Sequence, residues 1–183
     1  EKKSARWGVK TAEKNSLKFE QAEKKEIESF YRLYQKTAEF GGFNHESIEF
    51  IYNLHNTEIS KLFLIKSKEE IVAGGLLLID KKNNYSILNL TASSEKGQKL
   101  QAMPFLYWNL ILYSKKEGLN YFDLGGYDKE AKPGDKTHNI NKFKENFGGN
   151  IAEQPIYSTN WKYPFFRNLM KRFKFIKRFY KKL

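Results

Sequence analysis

Not one of the 183 residues is cysteine. Disulfides, thiolate nucleophiles and cysteine-held zinc are therefore excluded, and a reducing compartment, the cytoplasm, is the expected setting. Long apolar runs are missing too. The best candidates, residues 71–79 and 103–113, fall short of the roughly 18 residues that span a bilayer, and the charged first residues carry no secretory signal. The three histidines, His45, His55 and His138, come without HxH, HExxH or a carboxylate cluster, so no metal site is expected. No GxSxG occurs, and no serine triad is visible. Acidic residues are absent from residues 161–183, which hold 9 of the 33 Lys and Arg and none of the 21 Asp and Glu. The first 160 residues, with 24 basic against 21 acidic side chains, carry only +3 of the net +12. A nearly balanced body with a basic end argues against a domain coated by nucleic acid.

What is present is enough apolar surface for one core: 40% of the residues are hydrophobic and 16% aromatic, which suits a single globular domain at this length. The chain opens at Glu1 inside a helical pattern, so a preceding domain of a longer protein is expected. Residues 4–15 have helical spacing with Trp7 and Ala12 on an apolar side, and residues 16–22 alternate as a strand. Ile27, Phe30, Tyr31 and Tyr34 mark an amphipathic helix, and a second follows the Gly41-Gly42 break with Asn44 as its cap. Residues 60–67, 69–80 and 84–93 read as an antiparallel meander, with turns at SKEE and KKNN. Helical spacing returns from Leu100 to Glu117 through Met103, Leu106, Tyr107, Leu110 and Ile111, a central helix whose Leu106 and Leu110 should pack on strands around Leu76, Leu78 and Leu88. A buried strand at 119–126, a polar loop, a short helix and a last strand near residues 151–159 complete a mixed α+β pattern.

Three stretches bear on chemistry. In YFDLGG the strand ends at Asp123 and the pair Gly125-Gly126, which suits either a ligand approaching the backbone or a plain tight turn capped by Asp123. TASSEKGQK, just before the central helix, sits where an acyl-coenzyme A enzyme places a phosphate cradle, but it has one glycine, Gly97, and lacks the repeated glycines that present several amides to a pyrophosphate. No coenzyme A, and no other cofactor, is therefore expected. NINKFKENFGG reads as a helix closed by Gly148, with Phe143 and Phe147 a turn apart. Lys144 between them is either a solvated surface lysine or a catalytic one.

Together, RWGVKTAEKNSLKFE, PFLYWNLILYSKKEGLNYFDLGG and INKFKENFGG resemble the second half of a FemABX-type aminoacyltransferase, a family built of two GNAT-like domains. The likeness runs from about Arg6 to Trp161. Its most specific part is an xDxGG strand end followed about twenty residues later by an FKxxFGG helix. The resemblance implies a GNAT-like mixed, largely antiparallel sheet over residues 1–161, and transfer of an amino acid from aminoacyl-tRNA to the side-chain amine of a peptidoglycan precursor's stem peptide. It implies that Phe143 and Lys144 face the reaction centre, with Lys144 stabilising an oxyanion, and that Arg6 contacts the precursor's diphosphate. Asp123, Gly125 and Gly126 would line the substrate. Two alternatives stand beside it: a GNAT-like N-acyltransferase that uses acyl-coenzyme A in polysaccharide or lipid modification, and a docking module that has lost the chemistry. The isolated chain, with half a cleft, would bind a nucleotide-linked precursor weakly or not at all.

Residues 162–183 place Phe166, Leu169, Phe173, Ile176, Tyr180 and Leu183 at helical spacing, with Arg167, Lys171, Lys174, Arg178 and Lys181 on other faces. Such a basic amphipathic tail suits an anionic membrane surface, and so a peripheral position on the inner face of the cell membrane, the alternatives being a helix docked on its own domain and binding to the phosphates of tRNA.

Overall fold

The computed structural model describes residues 4–55 and 57–153. The chain divides into two units, residues 1–149 and 150–183, and every element below belongs to the first. Ser4 caps α1 (Ala5–Lys14) by accepting the Trp7 N–H. The helix buries Gly8, Val9 and Ala12, and a Cβ on Gly8 would lie 2.8 Å from Pro104, so α1 and α5 (Ala102–Lys116) approach closely. Trp7 is not on that stripe and is 41% exposed. Residues five apart on an α-helix differ by about 140°, so Trp7 and Ala12 cannot share a narrow face.

After β1 (Leu17–Gln21) comes α2 (Ile27–Gly41), which buries Ile27, Phe30, Tyr34 and Ala38 and stops at Gly42 in the left-handed conformation, φ +70°. The cap of α3 (Ile48–Leu54) is Ser47, whose Oγ accepts the Phe50 N–H, and not Asn44. A capping oxygen must stand directly before the first helical residue, and Asn44 is three positions too early.

The meander forms as read: β2 (Ser60–Ser67), β3 (Glu70–Asp80) and β4 (Tyr85–Ser93) pair antiparallel in order after β1, and β5 (Tyr121–Asp123) joins β4 in parallel. The sheet is mixed and largely antiparallel. Two cores flank it. On one face α1 and α5 cover Leu77, Ile79 and Leu88; on the other α2 and α3 cover Leu62, Leu64, Leu76 and Leu90. Gly74 lets α2 close on the sheet, since a Cβ there would lie 2.8 Å from Phe30, while at Gly75 a Cβ would lie 2.8 Å from Leu88 of the neighbouring strand and 3.4 Å from Leu106 of α5.

Leu106 and Leu110 are fully buried and share their core with Leu88, but Leu76 and Leu78 belong to the opposite core. The reason is a bulge. Leu76 pairs with Leu90 and Leu77 with Leu88, which leaves Asn89 without a partner and turns Leu88 and Leu90 to opposite faces, as an extra residue in one strand does.

Before α5, Glu95–Lys99 form the short α4, and Gln101 takes φ +62°, so the central helix begins two residues later than its apolar pattern suggests. The strand expected to be buried, β5, is a three-residue edge with Tyr121 66% exposed. Of the expected last strand, the described residues 151–153 carry no strand, and the rest, like the tail from 162, lies outside the described residues. Among the described residues no helix is long and apolar enough to cross a membrane.

Candidate active site

β5 pairs with β4 only from Tyr85 to Ile87. Beyond Ile87, β4 runs on to Ser93 while the chain leaves β5 at Asp123, so the sheet opens between them. From that end the chain continues through Leu124, packed against the core, to Gly125 and Gly126. Gly125 adopts φ +83°, a conformation that costs a side-chain-bearing residue strain. Its N–H donates to Asp123 Oδ1 at 2.6 Å, so Asp123 does cap its own turn. Tyr85, on β4, donates its hydroxyl to the other oxygen, Oδ2. A Cβ on Gly126 would meet nothing within 4 Å, so the backbone there is open to a ligand.

Lys144 reaches this turn from α6 (Lys136–Glu145), donating from Nζ to the Gly126 carbonyl at 2.7 Å. Nζ also lies 3.5 Å from where a Gly125 Cβ would stand. Burial lowers the Lys144 pKa from its usual 10.5, and the charge of Asp123 partly offsets this. Lys144 is thus a half-buried ammonium bonded to the turn that carries the glycine pair.

The rest of α6 keeps it there. Asn141, 5% exposed, donates from Nδ2 to the Asp128 carbonyl at 2.7 Å and accepts the Asp128 N–H through Oδ1. Tyr127 donates to Glu145 at 2.6 Å. On the far side of the helix Phe143 stands edge-on to Tyr107 with centroids 5.0 Å apart, and Phe147 stacks on the same ring at 5.6 Å. Burial pushes the Tyr107 hydroxyl up to about 12. Phe143 and Phe147 therefore anchor α6 on α5, and Gly148, φ +77°, ends it where the sequence indicated.

The structure brings Lys144, Asp123, Gly125 and Gly126 together, while Phe143 packs on Tyr107 of α5. Arg6 stands apart. It lines a groove of about 360 Å³ with Lys10, Glu13, Trp108, and Asn146 and Phe147 just past α6. Sequence reasoning missed Tyr85 and Asn141. Asn141 had a signal, since it lies three residues before Lys144 and so on a neighbouring face of the helix; Tyr85 had none until the register of β4 with β5 was known. Among the described residues no group of three His, Asp or Glu side chains is placed to hold a metal ion.

Gly97 is a packing residue. A Cβ there would lie 2.2 Å from the Val72 carbonyl oxygen, and its N–H is already donated to Ser94 Oγ at 3.0 Å. Gly97→Ala should lower the melting temperature, because the obstacle is backbone and overpacking of this kind costs about 1–3 kcal/mol. A melting curve checks it; an unchanged midpoint would show that α4 moves off β3 freely.

A family model described as the FemAB family matches residues 55–156. Among solved structures, FemX superposes with a TM-score of 0.68 at 16% identity, covering 79% of this chain and 53% of FemX. This chain therefore spans about half the length of FemX. An acetyltransferase of the GNAT family from Staphylococcus aureus Mu50 gives 0.62 at 14% identity over 79% of this chain and 91% of that one. An aminoglycoside acetyltransferase from an uncultured soil metagenomic sample, in complex with sisomicin, gives 0.60 at 16% identity over 80% and 97%. At such identities these likenesses establish the GNAT-like fold. No curated protein matches the chain.

Proposed function

The chain belongs to the FemAB family, and from that premise we propose that the full-length protein is an aminoacyltransferase. It moves an amino acid from the ester of aminoacyl-tRNA to the side-chain amine of a peptidoglycan precursor's stem peptide. The observation that carries this reading is the position of Lys144, a half-buried ammonium 2.7 Å from the Gly126 carbonyl at the open end of the sheet. The acceptor amine attacks the ester carbonyl, a C–N bond forms, and the carbonyl oxygen becomes an oxyanion. Lys144 stabilises that charge in a site where water does not screen it fully. Collapse breaks the ester C–O bond, and the proton lost by the amine leaves with the ribose hydroxyl. Asp123, Gly125 and Gly126 shape the wall on which the carbonyl rests, and Phe143, packed edge-on to Tyr107, supports the helix that carries Lys144. Arg6, with Lys10 in the same groove, suits the precursor's diphosphate, which a forked guanidinium binds through two oxygens.

An acyl-coenzyme A donor is the competing reading, and Gly97 bears on it, since the one glycine of that loop spends its N–H on Ser94. Thermal shifts of the full-length protein separate the two. Acyl-coenzyme A supplied at about 100 times its dissociation constant would add about 2.7 kcal/mol if it bound. The proposal expects no shift with acyl-coenzyme A and a rise with charged tRNA; the reverse pattern would overturn it.

A domain preceding residues 1–161 completes the acceptor cleft in this reading, and residues 162–183 bring the protein to an anionic membrane on the cytoplasmic side. Truncation after Trp161 is then expected to abolish salt-sensitive binding to anionic vesicles while neutral vesicles bind neither form. Vesicle sedimentation checks this: equal binding without the tail, or a tail that binds tRNA alone, would contradict it.

A further inference from the structure

Asp123 and Lys144 lie close enough to feel each other's charge, yet among the described residues they form no salt bridge. The ammonium bonds instead to a neutral carbonyl, that of Gly126. A carboxylate beside an ammonium ordinarily pairs with it, because two opposite full charges attract more strongly than a charge and a carbonyl dipole. Something holds Asp123 back. Its two oxygens are both engaged within the sheet and its own turn, Oδ1 by the Gly125 N–H and Oδ2 by the Tyr85 hydroxyl.

The register explains how Tyr85 reaches it. In the parallel pair, Tyr85 stands opposite Tyr121 and Ile87 opposite Asp123. Residues two apart on a strand share a face, so Tyr85 is the diagonal neighbour of Asp123, within reach of a long aromatic side chain. The Gly125 N–H alone would leave the carboxylate free to rotate about it; the tyrosine fixes the second oxygen.

We propose that Tyr85 is a positioning residue: by holding Asp123 Oδ2 it keeps the carboxylate from pairing with Lys144 and leaves the ammonium over the glycine pair, available to substrate. An ammonium already neutralised by a carboxylate stabilises an oxyanion poorly, so this restraint matters to the acyl transfer proposed above, and its catalytic consequence rests on that reading. Asp123 then contributes charge at a distance and shape at close range.

The test uses the full-length protein with isotopically labelled lysine, the Lys144 resonance being assigned by its loss in Lys144→Arg. In Tyr85→Phe the freed carboxylate swings to Lys144. Its pKa is expected to rise by about 1 or more, and turnover to fall about tenfold as the ammonium is misplaced. In Asp123→Asn the loss of the negative charge is expected to lower the Lys144 pKa below the wild-type value. An unchanged Lys144 titration in either variant overturns the proposal, and so does a raised pKa in Tyr85→Phe with undiminished turnover. Because titration needs no substrate, it gives its answer even if charged tRNA proves not to be the donor, a result that would count against the aminoacyltransferase reading alone.

Discussion

Lys144→Ala in the full-length protein is expected to lower turnover by about 10²–10³, the loss that follows removal of one oxyanion donor. An exposed lysine would not give that result, since surface charges contribute about 0–1 kcal/mol. The lost bond to the Gly126 carbonyl, about 1.5–3 kcal/mol for a charged donor, is offset in part by relief of the ammonium's burial, so the variant remains folded. The pH profile carries a second signature. Burial holds the folded Lys144 below the ordinary 10.5, so a requirement for its charge places the alkaline limb of turnover below that value. In Lys144→Arg, whose guanidinium stays charged at any accessible pH, that limb should vanish from whatever activity remains. The stability linkage has the same sign. Burial's cost is fully present at pH values below the folded pKa and is relieved as the pH rises from there to 10.5, because in that window the unfolded chain binds more protons. Near wild-type turnover in Lys144→Ala would return the residue to the surface.

Leu106→Ala is expected to destabilise the domain by about 2–5 kcal/mol, the range for emptying a buried leucine site. Leu106 is fully buried, and its Cδ2 stands 3.4 Å from where a Gly75 Cβ would lie, so backbone on the sheet side cannot readily collapse into the void. At about 2–4 °C per kcal/mol for a chain of this size, the melting temperature should fall by several degrees at least. Trp108, two residues on and 42% exposed, provides the contrast: its replacement by alanine should cost about 1 kcal/mol or less. Urea unfolding of both variants measures the difference. Equal losses would mean that α5 packs through the wrong face.

Local spacing and cap chemistry made most of the fold legible. Ile27, Phe30 and Tyr34 repeat every three or four residues and are all buried, and the meander follows from alternating strands with short polar turns. What stayed hidden depends on partners distant in sequence. The bulge at Asn89, which turns Leu90 from Leu88's face, comes from the pairing of β4 with β3, and neither strand announces it alone. Trp108 and Leu112 fit an apolar helix yet are exposed, because α5 is apolar around more of its circumference than the sheet and α1 cover. In the site, the resemblance carried by FKxxFGG, and not its spacing, pointed to Lys144, and the glycine pair marked the turn it reaches. Their meeting, the bond of Asp123 to Tyr85, and the separation of Arg6 into its own groove are tertiary facts.

The most direct test supplies the full-length protein with a nucleotide-linked peptidoglycan precursor and either tRNA charged with a labelled amino acid or labelled acyl-coenzyme A, and follows the precursor by mass spectrometry. The account predicts a precursor heavier by one amino-acid residue, joined as an amide to its side-chain amine, from charged tRNA and not from acyl-coenzyme A. Label reaching the amine from acyl-coenzyme A alone, or from neither donor, would contradict it.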